Sequence, residues 1–479
     1  MSSEFDKSVK RRDILKAGAV LGLGIPGVGA FLAACSNAAS SPAASASAAA
    51  SVAPSAAASV APSAAASQAA SASAAASQAA GNPVTVILYD TMPQATQQVW
   101  LNTWYPDFQK QYPWVTIKEQ NGGIEDSAKL RQLVASNSDA SPDMAWEASS
   151  EQGAYSDASL LADVDGWLNS KPDIKANIIP ALVTLSSYNG KVATLPWMTN
   201  NCAMLINTDA FKEAGVAIPS QDPKTTWTWD DFEAACKAIT EKGSMKGFLM
   251  SGTTGWDPWV ATGWFGTNGA VMLDDTGTAQ WNSAAGVETM TYLQGLVKKG
   301  YTVPLDKGWE LTLWYNKKAA IALNGPWNLP DIQAQEAKGL FAWTAVPYPR
   351  KTQPATNIGG DQLYLFKRSD DKVAGEFAYA EYLLGDDFQV KFAMQSGNLP
   401  VTTSATANAD YQAFLQKTPQ LLGWVNSVPF GVSRISTPTG SDQYSAFSAK
   451  AWDPIILKGT DPATALNDAK TASDALKGA

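Results

Sequence analysis

The sequence predicts an α/β protein of two lobes, and three observations carry that expectation. The chain has 479 residues, 45% apolar and 16% charged, which suits a soluble folded protein with two or three domains and sizeable cores. Short apolar runs alternate with segments of helical period, the pattern of βαβ units around a largely parallel sheet. No unit of 20–50 residues repeats through the body, which excludes a solenoid. Two α/β lobes are the simplest arrangement for the roughly 400 residues that have globular composition.

The elements follow in order from Pro83. Residues 84–89 form a short apolar run and a first strand, and 94–112 read as a helix with Val99, Thr103, Trp104 and Phe108 on one stripe. A strand at 115–117, a helix at 127–136 and a strand at 143–146 come next. The alternation resumes with strands at 191–195, 203–207 and 247–251 around a helix at 229–242. Thr228 and Asp231 before and inside that helix fit a capping box. Later, Ser369 stands where it can cap a helix that places Val373, Phe377, Ala380 and Leu384 on one face.

Composition removes whole function classes. The 35 basic and 44 acidic residues leave a formal charge of −9, and a nucleic-acid binder would carry a basic stripe instead. There is no histidine, so every His-based triad, Cys–His dyad and His-ligated metal site is absent. What remains is a carboxylate enzyme, an unusual thiol or hydroxyl site, or a protein that binds without reacting. No metal or other cofactor is expected. Asp163-x-Asp165-Gly166 hints at a calcium loop, but no glutamate closes it as in an EF-hand, and a helix-start acid pair accounts for it.

The first 35 residues read as an address. Lys10, Arg11 and Arg12 precede an apolar run broken by Gly22, Gly24, Pro26 and Gly27, which suits a cleavable secretory signal better than a membrane helix. The paired arginines resemble the twin-arginine export signal. Leu32-Ala33-Ala34-Cys35 resembles the lipobox of a prokaryotic lipoprotein, which implies lipidation of Cys35 and a membrane anchor through that lipid. The Gly22-x-Gly24-x-x-Gly27 match to a dinucleotide-binding pattern follows no strand and is discarded. Residues 36–82 are almost wholly Ala, Ser, Pro and Gln, with Ser-Val-Ala-Pro-Ser-Ala-Ala-Ala at 51–58 and again at 59–66. Such a stretch cannot bury enough to offset its chain entropy and should be a disordered tether. Cys202 and Cys236 either pair outside the cytoplasm or stay as two buried thiols.

Several pieces in order then resemble a known family. They are Ser141-Pro142-Asp143, Tyr188-Asn189-Gly190-Lys191 through Leu195-Pro196-Trp197, Met204-Leu205-Ile206-Asn207-Thr208-Asp209, and Lys318-Ala319-Ala320-Ile321 before Asn324-Gly325-Pro326-Trp327. Gly359-Gly360-Asp361 and Gln395-Ser396-Gly397-Asn398-Leu399-Pro400 follow. Together they resemble the extracellular solute-binding proteins of carbohydrate ABC importers, the family that includes maltose-binding protein. The resemblance runs from about residue 84 to the C-terminus. It implies the periplasmic-binding-protein fold, two hinge-linked α/β lobes around a central ligand cleft that close on their cargo as such proteins do. By that analogy lobe I comprises 83–198 and 360–413, and lobe II comprises 199–359 and 414–479. The chain would cross near 196–201, 357–361 and 413–420. The implied partners are a small carbohydrate and the permease subunits of the importer, with the protein a monomer on the outer face of the cytoplasmic membrane.

A sugar offers apolar C–H faces and a rim of hydroxyls, which suit flat aromatic rings and planar carboxylates or amides; 18 Trp and 14 Tyr supply the rings. The resemblance points to Trp327 of the Gly-Pro-Trp motif as a stacking residue. It brings Glu147, Ser150 and Glu151 to the family's sugar-touching loop, where the maltose-binding member has Trp, Asp and Arg, so maltose itself is disfavoured. Trp197, Thr199 and Asn200 fall at a cleft position, as do Asp361 behind two glycines, Thr91 and Met92 after the first strand, Trp256 and Trp259 in the second lobe, and Tyr444. The same fold also takes polyamines, which the acidic residues Glu147, Glu151, Asp257 and Asp361 would suit, and phosphorylated polyols, although Arg350, Arg368 and Arg434 lie at no recognised site. A surface glycoside hydrolase would need two catalytic carboxylates that nothing marks here. A structural lipoprotein would have no cleft.

Overall fold

The structure is a computed structural model that describes residues 82–90, 94–121, 127–250, 257–304 and 311–477. The signal, Cys35, the tether, Thr91, Met92 and Trp256 lie outside the described residues. No helix among the described residues is long and apolar enough to cross a membrane.

The first sheet grows from β1 (Val84–Asp90), whose residues from Val86 on are buried. A strand covered on both faces needs such a near-continuous apolar run. It pairs in parallel with β2 (Val115–Asn121) and β3 (Met144–Ala148). A small hairpin of β4 (Ser187–Tyr188) and β5 (Lys191–Val192) turns on Asn189 and Gly190, both at positive φ, as a tight hairpin turn requires. Strand β6 (Leu195–Pro196) closes the first sheet's edge, so the strand expected at 191–195 is two pieces with a break between them.

The chain then runs through β7 (Asn200–Asn201) into β8 (Ala203–Asn207), a strand of the second sheet. That sheet also contains β9 (Lys246–Met250), β10 (Thr302–Pro304), β11 (Ala319–Asn324) and β12 (Trp343–Val346), in the order β10-β9-β11-β8-β12. Strand β13 (Thr356–Gly359) and, one glycine later, β14 (Asp361–Leu365) lead back into the first sheet, whose order is β2-β1-β3-β14-β6. A third, three-stranded sheet in the order β15-β13-β7, with β15 at Gly431–Val432, lies on the connecting segments. Neither large sheet is purely parallel: β14 is antiparallel to β3, and β8 is antiparallel to β11 and β12.

Two sequence expectations shift in register. The helix expected at 94–112 is Gln94–Val99 and Tyr105–Gln111 with a π turn, Trp100–Trp104, between them. The wider turn holds Trp100, Trp104 and Phe108 on the buried face and leaves Val99 and Thr103 exposed. In the helix Asp370–Leu383, Ser369 occupies the N-cap without a side-chain bond, and Val373 and Phe377 are only half-buried. Ala380 and Leu384 are buried as expected, and Ala378, Tyr379, Tyr382 and Leu383 complete the buried face. The capping box forms as expected, with Thr228 Oγ1 accepting from Asp231 N at 3.2 Å and Asp231 Oδ2 accepting from Thr228 N at 2.9 Å. Asp163 caps a helix by accepting from Gly166 N at 3.0 Å, the helix-start role. Cys202 and Cys236 are free and buried.

Separate cores serve the two large sheets. One contains Val86, Trp100, Trp146, Leu363 and Phe388; others contain Met204, Phe248, Trp264 and Tyr444, and Leu205, Trp314, Val390 and Trp424. Most tryptophans are used here as filling, nine of them among the largest fully buried side chains.

Candidate functional site

The carboxyl end of β3 and the start of β14 lie side by side, with Asp361 opposite Ala148 and Gln362 opposite Glu147. Glu147 is buried, and its Oε1 accepts from Ala148 N at 2.9 Å. Ser150 and Glu151 sit in the tight turn Ser149–Glu151 that follows, both 2% exposed. Arg131 forms an ion pair with Glu151, so this carboxylate already has a partner within the chain. Tyr364 donates to Ala148 O at 2.6 Å, and burial, reinforced by Glu147 and Glu151, pushes the phenols of Tyr364 and Tyr155 far up. Both stay neutral phenols.

The strands joining the two sheets carry the next group. Thr199 Oγ1 donates to Gly359 O at 2.9 Å, and Asn200 Nδ2 donates to Asn398 Oδ1 at 3.1 Å. Thr199 also exchanges backbone bonds with Leu399. Gly360 has φ +112°, and a Cβ there would lie 2.6 Å from Met198 O. A side chain is excluded on both counts, which is why β13 can turn straight into β14. Across β13, a Cβ on Gly359 would lie 2.9 Å from Trp259 Nε1.

The aromatic pair completes this wall. Trp259, on the helix Asp257–Thr267, is 6% exposed and donates to Ile358 O at 3.2 Å. Trp327, in the turn Pro326–Asn328, is half-buried, with its ring centroid 5.7 Å from that of Trp259 at 37°. Gly325 makes this possible, since a Cβ there would overlap the Trp327 ring. Asn324 fixes the turn by accepting from Gly325 N at 2.7 Å, while its carbonyl accepts from Trp424 Nε1 at 2.9 Å.

Thr199, Asn200, Trp259, Trp327 and Asp361 therefore lie on or beside the joining strands, and Glu147, Ser150 and Glu151 continue the set along the edge of the first sheet. Two other expected residues have packing surroundings. Trp197 is 2% exposed in the first core, stacked on Trp146 at 4.3 Å. Tyr444 is buried in the second, its hydroxyl accepting from Ile435 N at 2.9 Å. The structure adds residues for which the sequence carried no signal. Arg434 lies over the Tyr444 ring at 5.6 Å and acts electrostatically on Tyr364 of the first sheet. Ser436 touches Ser150 and Gly153. Nothing in the run 433–439 separates these positions from an ordinary polar loop.

Two α/β sheets joined by a short three-stranded connector, with polar and aromatic groups gathered along it, define the two-lobed binding-protein class. Solved structures of that class superpose on the chain. The GacH receptor of Streptomyces glaucescens, described unliganded and with acarbose, gives a TM-score of 0.70 at 21% identity, covering 82% of this chain and 98% of the receptor. UgpB of Mycobacterium tuberculosis, described with glycerophosphocholine, gives 0.71 at 17% identity with the same coverage. At these identities the likeness establishes the fold. The chain belongs to the family of bacterial extracellular solute-binding proteins, which its residues 103–419 match. Among curated relatives, the sn-glycerol-3-phosphate-binding periplasmic protein UgpB of Yersinia pestis is 26% identical over 248 residues, 49% of this chain and 54% of the relative. Its Brucella melitensis namesake is 27% identical over 257 residues, 51% and 57%. The chain spans about half the length of the curated relatives it matches.

Proposed function

We propose that this chain is the substrate-binding component of an ABC importer, taking up an extracellular mono- or oligosaccharide and releasing it unchanged to the membrane permease. In this reading it catalyses nothing, needs no cofactor and acts as a monomer tethered to the outer face of the cytoplasmic membrane by lipid on Cys35. Its lobes are 83–198 with 360–413 and 199–359 with 414–479. The observation that carries the reading is the half-buried Trp327 against Trp259 beside Thr199, Asn200 and Asp361. An indole face suits the C–H face of a sugar, and hydroxyl, amide and carboxylate groups suit its rim. Matched polar groups also reject analogues lacking a hydroxyl. Glu147, Ser150, Thr91, Met92 and Trp256 extend the proposed site.

A second reading, an anionic polyol such as a glycerol phosphate, is favoured by one observation. Among the described residues Arg434 has neither a hydrogen bond nor an ion pair and lies over the Tyr444 ring, and the matched relatives are named for sn-glycerol 3-phosphate. A guanidinium suits phosphate oxygens.

A thermal-shift screen of neutral saccharides, sn-glycerol 3-phosphate, glycerophosphocholine, spermidine and putrescine separates these readings, because a ligand that binds the folded state raises the melting midpoint. Stabilisation by one class of neutral saccharide is expected. Stabilisation by the phosphates alone selects the second reading, and stabilisation by the polyamines alone overturns both.

A further inference from the structure

We propose that the two lobes are latched directly, protein to protein, by Gly153 of the first lobe against residues 436–438 of the second, so that Gly153 and Ser436 are positioning residues for solute capture. This rests on the hinged-binding reading above. Gly153 is the second residue of the helix Gln152–Asp157 that follows the loop carrying Ser150 and Glu151. Its N–H donates to Ser436 Oγ at 2.9 Å, and Ser436 Oγ donates to Ser150 O at 3.1 Å. A Cβ on Gly153 would stand 2.5 Å from the carbonyl carbon of Thr437, 2.7 Å from its oxygen and 2.9 Å from Pro438 N. All three are backbone atoms, which cannot swing aside as a side chain would.

Each half of the contact is fixed to its own core. On one side Tyr155 is buried in the cluster with Tyr89, Ala145 and Tyr364, and Gln152 Nε2 donates to Leu185 O at 2.8 Å. On the other, Thr437 Oγ1 donates to Gln443 Oε1 at 3.0 Å, and Gln443 Nε2 donates to Gly277 O and to Ser473 Oγ, both at 2.8 Å. In the hinged-binding reading, rotation of one lobe against the other displaces Gly153 relative to Thr437. The contact adjoins Ser150, on the edge that carries Glu147 and Asp361 of the proposed site. Contacts made only in the closed state shift the open–closed balance without touching solute.

Glycine at 153 is not required by its own backbone. It is not among the glycines at positive φ, and alanine is the better residue inside a helix. The cost of a methyl group there falls on the lobe–lobe contact alone. The test uses the full chain with Cys35→Ser and spin labels at Asp139→Cys and Asp275→Cys, two exposed positions outside the contact, read as an interlobe distance distribution without added solute. Gly153→Ala is expected to deplete the short-distance population by about half or more while the melting midpoint holds or rises. Ser436→Ala, which removes both hydrogen bonds without a clash, is expected to shift it the same way by less. Unchanged distances in both variants overturn the latch, as does a lower midpoint in Gly153→Ala, which would place the clash inside one lobe. Because no solute is added, failure of the carbohydrate reading leaves this result independent.

Discussion

At the scale of single residues, Trp327 and Glu376 show how one side chain separates function from stability. Trp327 is half-buried and rests on Trp259, so in the proposed site it has a face to offer. Trp327→Ala is expected to weaken binding of the saccharide that the screen identifies by at least ~1 kcal/mol, read by titration calorimetry; equal affinity removes the residue from the site. Glu376 is the opposite case. It lies fully buried on the helix Asp370–Leu383, and neither carboxylate oxygen has a hydrogen-bond partner among the described residues. Burial, then Asp143, pushes its pKa well up, against the opposing pull of Arg368 and Lys372. Asp143 takes those two cations itself, at 3.3 and 2.9 Å. A carboxyl whose folded pKa lies above its unfolded value of 4.5 helps the fold fully below that pH and loses that help as pH rises toward the folded pKa. Glu376→Gln stays neutral throughout. Its stability relative to the parent chain should therefore grow between pH 4 and pH 8, by ~1 kcal/mol or more in urea titrations. A constant difference across that range would mean that Glu376 ionises inside the fold.

At the scale of elements, what the sequence disclosed depended on whether the signal was local. Strand 203–207 and helix 127–136 have the bounds that their apolar runs and flanking residues indicate. The capping box at Thr228 was equally legible, because both partners lie within four residues. The π turn at Trp100–Trp104 was not, since its reason is tertiary. Trp100 Nε1 donates to Tyr379 Oη at 2.9 Å and Trp104 Nε1 to Gln395 Oε1 at 2.9 Å, partners almost 300 residues away. The antiparallel insertion of β14 between β3 and β6 is hidden for the same reason, as it follows from the chain's return through β13. The site divides along this line. Trp327 and Asp361 stand in motifs with glycines before them, and the close approaches at Gly325 and Gly360 give those glycines their physical cause. Arg434 and Ser436 depend on which loop of the first sheet they meet, and nothing nearby in the chain encodes that.

At the scale of the whole molecule, the question is whether two sheets with separate cores unfold separately. The joining strands alone are two to four residues long and would couple the cores weakly. The helix Asp386–Ser396 changes this, because it packs on both: Phe388 and Phe392 enter the core with Trp104 and Trp146, while Val390 and Ala393 enter the core with Ala203 and Trp424. Gln389 ties its base, donating to Trp197 O at 2.8 Å and to Leu383 O at 2.6 Å and accepting from Val401 N at 2.9 Å. Losing either core would expose half of this helix and leave buried polar groups unpaired, so the melting of one lobe withdraws support from the other. Differential scanning calorimetry should then give one transition with a van't Hoff enthalpy close to the calorimetric one. Gln389→Ala is expected to cost about 1–3 kcal/mol through the stranded carbonyls and N–H group. All three partners stand in the first core, so the loss should fall on that lobe and shift the transition without splitting it. Two resolved peaks in the parent chain would show that the helix belongs thermodynamically to one lobe, and an unchanged midpoint in the variant would show that the Gln389 bonds contribute nothing net to that core.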